Sequence, residues 1–489
     1  MGIRAAVRDA LLGFPALLAR LGLVDRRKGT EAFDLALPVM VTGGLRVLLR
    51  VADFLMVGIA VGDAAIAALE LGFQYYFLGF GLSLALSSGT ISVVSRLQGA
   101  DQPDRADLAV KQSLWLSLLV SLPLTVITWV YAGPMLDVLT DDPRTIELGA
   151  IYLQIVMLSL SFRFWSMIAA RALAGSADTR TPMYVRLLTL PTNVVLNAVL
   201  IFGWGPFPEL GVAGAAWGTA IANTLAATVF LGLLVSGRYV VRLPLAGPQV
   251  DLSLCREIVR VGLPLAGMRL LQTFGRFPFL FVLGVLGTPV VAAYAIGRRV
   301  MLLALMPAWG YATAASTLVG QAVGAGEHDE ATEYGWQTMR IALLTQLLFG
   351  AVLVVAARPV ALAFGTQYPD LAVRFIRVFG VIVAGFSISR TMRGSLRGAG
   401  DTRWPLYGTF AGAYLFRLPV AALALPVGYG VTIAGVSVAP GLGWGLPAVF
   451  AALIGDFYLK AAVNTARFWT GKWQGVARGA DVGGSAEAE

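Results

Sequence analysis

Three ionisable side chains lie close together in the first long apolar stretch of this sequence. Arg46 and Arg50 precede Asp53 by seven and three positions, a spacing that places all three on one face of a helix. A carboxyl group in such a place can bind a small hard cation or exchange a proton, whereas guanidinium groups bind anions. Because ionised groups inside a membrane are costly, they usually face a cavity or a pathway. The spacing therefore predicts a polar site within this stretch.

The composition of the 489-residue chain is that of a polytopic membrane protein. Hydrophobic residues make up 57% of it and charged residues 13%, with a mean hydropathy of +0.75, whereas soluble domains carry about 25% charged residues. Apolar runs of about 20 residues recur, each long enough to cross a bilayer. The net charge of +9 is then an asymmetry between loops rather than a nucleic-acid-binding surface. A single cysteine, Cys255, excludes an internal disulfide, and a single histidine, His328, argues against a metal centre.

A short motif occurs at two points where one apolar segment ends and the next begins. GSADTRTP contains Asp178 and Pro182, and GAGDTRWP contains Asp401 and Pro405 at an offset of 223 residues. We expect each aspartate to accept backbone N–H groups at the start of a helix, where a proline is tolerated in the first turn. Two such matches at a fixed offset indicate a duplication.

A second alignment, of residues 63–72 with 288–297 at a shift of 225, extends the duplication along the chain. We therefore predict an all-α membrane protein with twelve transmembrane helices in two pseudo-symmetric six-helix bundles. The spans are placed near residues 35–61, 66–94, 111–133, 146–170, 183–204, 211–236, 258–285, 290–318, 338–357, 371–393, 405–427 and 443–466. The predicted domains are a cytoplasmic amphipathic lead-in (1–33), an N-terminal bundle (34–236), a cytoplasmic linker (237–257), a C-terminal bundle (258–466) and a cytoplasmic tail (467–489).

Positive charge is concentrated in the even-numbered turns between the predicted spans. These turns contain Arg96, Arg105, Lys111, Arg171, Arg180, Arg238, Arg242, Arg256, Arg393, Arg397 and Arg403. The odd-numbered turns contain only Arg144 and Arg358. By the positive-inside rule, both termini are cytoplasmic. We expect a multi-pass protein of the cell membrane.

Several further motifs resemble those of the multidrug and toxic compound extrusion (MATE) family. They are VADFLMVG at 51–58, NVVLN at 193–197, GVAGAAWGTAIAN at 211–223 and STLVGQAVGAG at 316–326, in addition to the two DTR turns. The resemblance covers about residues 34–466. It implies two six-helix bundles that alternate access to a central cavity, and export driven by Na⁺ or H⁺ entering down its gradient.

The same resemblance implies a cation-coupling site formed by Asp53, Asn193, Asn197 and Thr219. Asp53 is similar in position to the coupling aspartate of the family, and Asn197 stands where the family commonly has an aspartate. Thr219 matches a family threonine, and Asn193 lies one helical turn before Asn197. Oxygen atoms from these four side chains could bind a small hard cation or surround a titrating carboxyl. The alternative is that Asp53 pairs with Arg50 or another basic residue and has a structural role.

Further basic residues lie in the seventh span, where Arg269 and Arg276 are also seven positions apart. This span is the repeat equivalent of the first. The predicted substrate cavity is lined by Arg46, Arg50, Gln74, Tyr75, Arg269 and Arg276. Such a cavity would accept anionic or zwitterionic solutes, whereas the ordinary multidrug interpretation has cations as substrates. The alternative is that the arginines extend to the membrane surface or bind helix-end carbonyls and lipid phosphates.

The predicted function is secondary active antiport, in which drugs or other small organic solutes are exported in exchange for Na⁺ or H⁺. The alternative is a lipid-linked oligosaccharide flippase of the same superfamily, whose arginines would bind a pyrophosphate. An enzyme or a channel is the weakest hypothesis, because the sequence has no His/Glu cluster, no GxSxG serine and no selectivity-filter repeat. We predict no catalytic residue, no metal and no cofactor beyond the coupling ion. The expected partners are small organic solutes and membrane lipids, with neither nucleic acid nor an obligate protein partner.

Overall fold

The computed structural model describes the backbone of residues 13–61, 63–433 and 436–479. Side chains are described for these residues except 47–55, 58–61, 63–67, 70, 74, 77–78, 431–433, 436–438 and 478–479. The described chain divides into two compact units. One is Pro38–Ala266, and the other combines the residues up to Leu37 with those from Gly267 onward. The predicted domain boundaries remain predictions.

Helices form along the chain because an apolar stretch without access to water must satisfy its own backbone N–H and C=O groups. In the first half they are α1 (13–20), α2 (Arg26–Val61), α3 (Asp63–Gly99), α4 (Pro103–Asp137), α5 (Pro143–Leu158), α6 (Leu160–Gly175), α7 (Arg180–Phe202), α8 (Gly211–Val235) and α9 (Leu252–Phe274). Proline is the first residue of α4 and of α5, a position where its missing N–H would have had no helical partner.

The second half continues the same pattern. Its helices are α10 (Arg276–Val285), α11 (Thr288–Ala304), α12 (Met306–Gly324), α13 (His328–Val355), α14 (Ala357–Ala363), α15 (Pro369–Gly398), α16 (Arg403–Phe410), a π-helix (Ala411–Arg417), α17 (Leu418–Ala422), α18 (Leu446–Trp469) and α19 (Trp473–Gly479). Two short strands, β1 (Val431–Ile433) and β2 (Val436–Val438), pair antiparallel with Val431 opposite Val438. The prediction of an all-α protein is confirmed, except that the described ranges contain this short hairpin.

Each predicted span coincides with a long helix or with consecutive shorter ones. By length and composition, seven helices of the described chain are able to cross a membrane, and two bent pairs raise the number to nine. The bent pairs are α5 with α6, at 48°, and α11 with α12, at 45°. The seventh span is divided at Gly275 and the eleventh contains the π-helix, so neither is one continuous α-helix.

The unit Pro38–Ala266 is held together by two apolar clusters. One is built around Phe230 and the other around Phe164, and both side chains are fully buried. The N-terminal part of α9 approaches α3 closely at Gly262. A Cβ atom there would lie 2.8 Å from the carbonyl oxygen of Ala85, so only glycine allows this contact. Helices α3 and α9 are therefore in backbone contact at this point.

In the other unit, the start of α2 is attached to α13 by ion pairs. Arg27 Nη2 lies 2.6 Å from Glu330 Oε1, and Lys28 pairs with Glu333. Lys28 is largely buried although Arg27 is exposed. These contacts fix the N-terminal part of α2 to the first turns of α13.

The aspartates of the two DTR turns bind different groups. Asp178 Oδ1 accepts the backbone N–H groups of Arg180 (3.1 Å) and Thr181 (2.9 Å), so its predicted role at the start of α7 is confirmed. Asp401 Oδ2 instead accepts a hydrogen bond from Arg467 Nε of α18 at 2.7 Å. Burial raises the pKa of the Asp401 carboxyl, and the hydrogen bond and charge of Arg467 oppose that rise. The carboxylate of the second turn thus binds a distant helix, whereas the carboxylate of the first binds the backbone of its own turn.

We predict that the two turns differ in their contribution to stability. Asp178→Ala should lower the free energy of unfolding by about 1 kcal/mol, the usual effect of losing a capping side chain. Asp401→Asn should cost roughly 3 kcal/mol, because it leaves Arg467 partly buried without its carboxylate. Thermal melts of the purified protein in detergent measure both changes. Adding Arg467→Gln to Asp401→Asn should recover part of the loss, and equal losses at the two turns would contradict this account.

Candidate functional site

A cavity of about 150 Å³ lies inside the unit Pro38–Ala266. It is bordered by side chains from α2, α3, α5, α6, α7 and α8. Arg186, Thr189 and Asn193 line it from α7, because residues three to four positions apart share one face of a helix. Phe73 and Tyr76 of α3 form an aromatic part of the wall. The cavity therefore combines polar groups on α7 with aromatic rings on α3.

Three arginines line this cavity: Arg46 of α2, Arg163 of α6 and Arg186 of α7. Arg186 is buried, donates from Nη2 to Ser166 Oγ at 3.3 Å, and places its guanidinium 5.7 Å from the ring of Phe230. The charges of Arg163 and Arg46 both act on Arg186 and repel it. Three guanidinium groups therefore border one cavity, and low-dielectric walls strengthen the field of each charge.

Arg163 is held mainly by an aromatic contact. Its guanidinium lies 5.5 Å from the ring centroid of Phe80. Among the described residues, its buried Nε has no hydrogen-bond partner. A buried donor without a partner is costly, and the aromatic contact with Phe80 offsets part of that cost.

Amide and hydroxyl groups also line the cavity. Asn193 Nδ2 lies 3.5 Å from Asn197 Oδ1, one turn further along α7, and Thr219 of α8 borders the same cavity. Asn223, one turn after Thr219, donates to Ser159 Oγ at 3.1 Å, at the bend between α5 and α6. The structure thus brings together Asn193 and Thr219, with Asn197 buried behind them.

The remaining residues predicted for the site are distributed differently. The side chains of Arg50, Asp53 and Gln74 lie outside the part of the structure that is described. The hydroxyl of Tyr75 donates to the carbonyl oxygen of Met135 on α4 at 2.5 Å. Tyr76, its neighbour, lines the cavity.

Arg269 and Arg276 belong to the other compact unit. The guanidinium of Arg269 lies 6.0 Å from the ring of Trp309. Arg276 is exposed at the first residue of α10. Their assignment to the substrate cavity remains a prediction.

Sequence reasoning missed Arg186, Thr189 and Asn223 as cavity residues. Arg186 had a detectable signal, since an arginine four residues after Pro182 stands inside an apolar segment. Thr189 and Asn223 had none, because a threonine or asparagine in a membrane helix also occurs at ordinary helix contacts. Their place in the cavity lining depends on the tertiary structure, in which α3, α7 and α8 border the same cavity.

We predict that Asn223 stabilises the bend at Ser159. Asn223→Ala removes the donor that binds Ser159 and Tyr76, and it should lower the free energy of unfolding by about 2 kcal/mol. Asn193→Ala is the matched control, because this side chain is only half-buried and its bond to Asn197 is long at 3.5 Å, so its loss should cost less than about 1 kcal/mol. Thermal melts in detergent compare the two variants. A loss at Asn193 as large as that at Asn223 would contradict this assignment.

Comparison with known proteins gives consistent results. The MatE family model matches residues 38–199 and 264–423, once in each half of the chain. The probable multidrug resistance protein NorM of Thermotoga maritima is 28% identical over 454 residues, covering 91% of this chain and 93% of that protein. NorM of Bradyrhizobium diazoefficiens is 27% identical over 416 residues, covering 82% of this chain and 87% of that protein.

Solved structures resemble this chain over nearly its whole length. A crystal structure of MATE in the bent conformation matches with a TM-score of 0.82 at 22% identity, covering 92% of this chain and 97% of that one. A MOP superfamily transporter from Pyrococcus furiosus, described as having a binding pocket of reverse polarity that suggests a different function, matches with a TM-score of 0.80 at 21% identity. That alignment covers 91% of this chain and 97% of the other.

These structures share a fold of twelve helices in two lobes, and the family model covers more than half of the chain. The chain therefore belongs to the MatE family and is a multi-pass membrane transporter of small solutes rather than an enzyme.

Proposed function

We propose that this transporter is a secondary active antiporter that exports drugs or other small organic solutes in exchange for Na⁺ or H⁺. The observation that carries the proposal is the cavity within Pro38–Ala266, where amide and hydroxyl oxygens lie close to three arginines. The curated relatives named as probable multidrug resistance proteins support drug-like solutes. Bent and interrupted helices support alternating access, because irregular backbone in membrane helices occurs at cavities and moving elements.

We propose that the protein lies in the cell membrane and that both of its termini are in the cytoplasm. Its support is the concentration of arginine and lysine in the even-numbered turns, because cytoplasmic loops carry the excess of positive charge.

We assign ion coupling to Asp53 together with Asn193, Asn197 and Thr219. Asn193 and Thr219 share the cavity, and α2 contributes Arg46 to the same lining. Asp53 is seven residues after Arg46 in α2, so both positions lie on one face of that helix. A carboxylate with nearby amide and hydroxyl oxygens suits either a small hard cation or a proton.

Asp53→Asn should abolish gradient-driven export and leave expression and melting temperature unchanged, because asparagine keeps the shape but cannot carry a negative charge or exchange a proton. The measurement is dye accumulation in inverted vesicles under an imposed Na⁺ or pH gradient, with whichever of carboxyfluorescein and ethidium the wild-type protein exports better. Asp137→Asn, at an exposed acid at the end of α4, is the matched control and should transport normally. An Asp53→Asn protein that still accumulates this dye against its gradient would remove Asp53 from the coupling mechanism.

We further propose that the cavity prefers anionic or zwitterionic solutes. Arg163 and Arg186 both border the cavity and contact aromatic rings, so their guanidinium groups add positive charge to its wall. A fixed positive potential attracts anions and repels permanent cations. The Pyrococcus furiosus structure, described as having a pocket of reverse polarity, supports charge selection as a property that varies on this fold.

Replacing Arg163 and Arg186 together by glutamine should weaken transport of an anionic dye and improve transport of a matched cationic dye. Competition between carboxyfluorescein and ethidium, run beside a thermal melt, measures the change. Arg144→Gln is the control, because Arg144 is exposed and, among the described residues, forms an ion pair with Glu147 on the same helix turn. A wild-type protein that exports ethidium well and ignores the anion would contradict the charge preference and leave the ordinary cationic multidrug exporter.

The flippase alternative remains open, because the same arginines would bind the pyrophosphate of a lipid-linked sugar. Translocation of such a lipid by reconstituted protein, in the absence of any dye export, would favour it over the antiporter.

A further inference from the structure

A buried group of three charged side chains lies in the unit from Gly267 onward, and the coupling site proposed above does not use it. Asp456 of α18 is fully buried. Arg417, the last residue of the π-helix, places Nη1 3.1 Å from Asp456 Oδ2, and Lys460 places Nζ 2.6 Å from Asp456 Oδ1. Lys460 is itself only 8% exposed. Two cations therefore share one carboxylate, and this charge triad carries an excess positive charge inside an apolar helix bundle.

Only one member of the charge triad can relieve this excess by changing its protonation state. The guanidinium of Arg417 does not deprotonate in proteins. Protonation of Asp456 would leave two buried cations without a counter-charge, which is more costly still. Loss of a proton from Lys460 leaves a neutral amine beside a charge-balanced pair of Arg417 and Asp456. Buried lysines change protonation readily, so the titrating group is Lys460.

The elements packed against Lys460 add positive charge to its surroundings. Besides the other members of the triad, Arg393 of α15 acts on it electrostatically. Helices α16 and α17 also contact α18. The sequence of α17 has no ionisable side chain. In α16, Arg403 acts on Asp401 and Tyr407 is exposed. Among these described elements, the negative charge near Lys460 is therefore the carboxylate of Asp456.

Arg417 also connects the charge triad to the break between α9 and α10. Its Nη2 donates to the carbonyl oxygen of Gly275, the residue at that break, at 3.0 Å. Tyr414, earlier in the π-helix, donates from its hydroxyl to the carbonyl oxygen of Leu271 at 2.9 Å. The carbonyl oxygen of Leu271 also accepts the backbone N–H of Gly275 at 2.9 Å, and π-helical turns are frequent at functional sites. The π-helix thus places two donors on the carbonyls next to the break.

We propose that Lys460 is a proton-binding site and that its protonation state controls how firmly Arg417 holds the α9–α10 break. When Lys460 is protonated, it repels Arg417 and shares Asp456 with it, so the bond to Gly275 weakens. When Nζ releases its proton to solvent, Arg417 and Asp456 remain as a balanced pair and Arg417 keeps its bond to Gly275. If the chain is the antiporter proposed above, this is a second coupling site, but the protonation itself does not depend on that function.

Hydrogen–deuterium exchange of the purified protein in detergent tests the proposal. The exchange rate is measured for the peptide covering residues 271–279 and is corrected for intrinsic exchange. The measurement runs from about pH 6 to about pH 10, which lies below and near the usual pKa of a lysine side chain. The wild-type protein should exchange faster at the low end by about threefold or more, the effect of losing one hydrogen bond. Lys460→Met should be slow throughout and Lys460→Arg fast throughout. Both variants should lose the pH-dependent step.

Lys111→Met is the matched control. Lys111 is another buried lysine, but its Nζ lies 3.4 Å and 3.3 Å from the carbonyl oxygens of Ala246 and Pro248 in the other unit. This variant should keep the step. A wild-type peptide without a step, or a step that survives in Lys460→Met, would overturn the proposal. If Lys460→Met fails to fold, Lys460→Arg decides, because a step that persists in a permanently charged variant overturns it equally.

The exchange measurement needs no transported solute. Failure of the pH-dependent step would therefore count against the role of Lys460 alone, and failure of dye export would count against the proposed antiport alone.

Discussion

The energetic cost of a charge inside an apolar helix bundle is the constraint on which the rest of this structure depends. A buried ion costs several kcal/mol unless partner groups offset it. In the unit Pro38–Ala266, Arg163 and Arg186 contact aromatic rings and border a cavity, where water or a solute can solvate them. In the other unit, Arg417 and Lys460 share the carboxylate of Asp456. The same cost thus has two different solutions, and each gives its unit a distinct chemistry.

The breaks in the helices follow from a related constraint, that every backbone carbonyl in an apolar setting needs a donor. At the bend at Ser159, the amide of Asn223 donates to the side-chain hydroxyl, which itself donates to the carbonyl oxygen of Val156. Gln346 donates to the carbonyl oxygen of Ala304, at the bend between α11 and α12. Arg417 does the same for Gly275. A polar side chain from another helix meets each of these three irregular points, so the irregular backbone is stabilised by tertiary contacts.

The duplicated halves have kept their order of helices and have diverged in detail. The fourth span is bent at Ser159, whereas α15, its counterpart, is one continuous helix. The eighth span is bent near Leu305, whereas α3 is continuous. The two DTR turns have the same sequence pattern, yet Asp178 binds its own backbone and Asp401 binds Arg467. The two halves therefore share their order of helices and differ in the polar groups that fix the bends and turns.

The class of the protein and the approximate position of each span were predictable from the sequence. A span is defined by the length of its apolar run, which is a local property fixed by bilayer thickness. The contact of Asp178 with the backbone amides of Arg180 and Thr181 was predictable for the same reason, since a capping interaction spans only a few residues. The repeat offset also gave the two-part organisation, and the family match in both halves agrees with it.

The lining of the cavity was decided by the tertiary structure. Arg186 and Asn223 are far from Tyr76 in the sequence. They line one cavity with it only because α3, α7 and α8 border that cavity in the folded chain. The partner of Asp401 lies 66 residues away on α18, beyond the reach of any local pattern. Sequence therefore determines which segments cross the membrane, because that depends on the hydrophobicity of each segment alone. Which polar groups meet inside the bundle depends on how helices rotate and bend against one another, and only the folded chain specifies that.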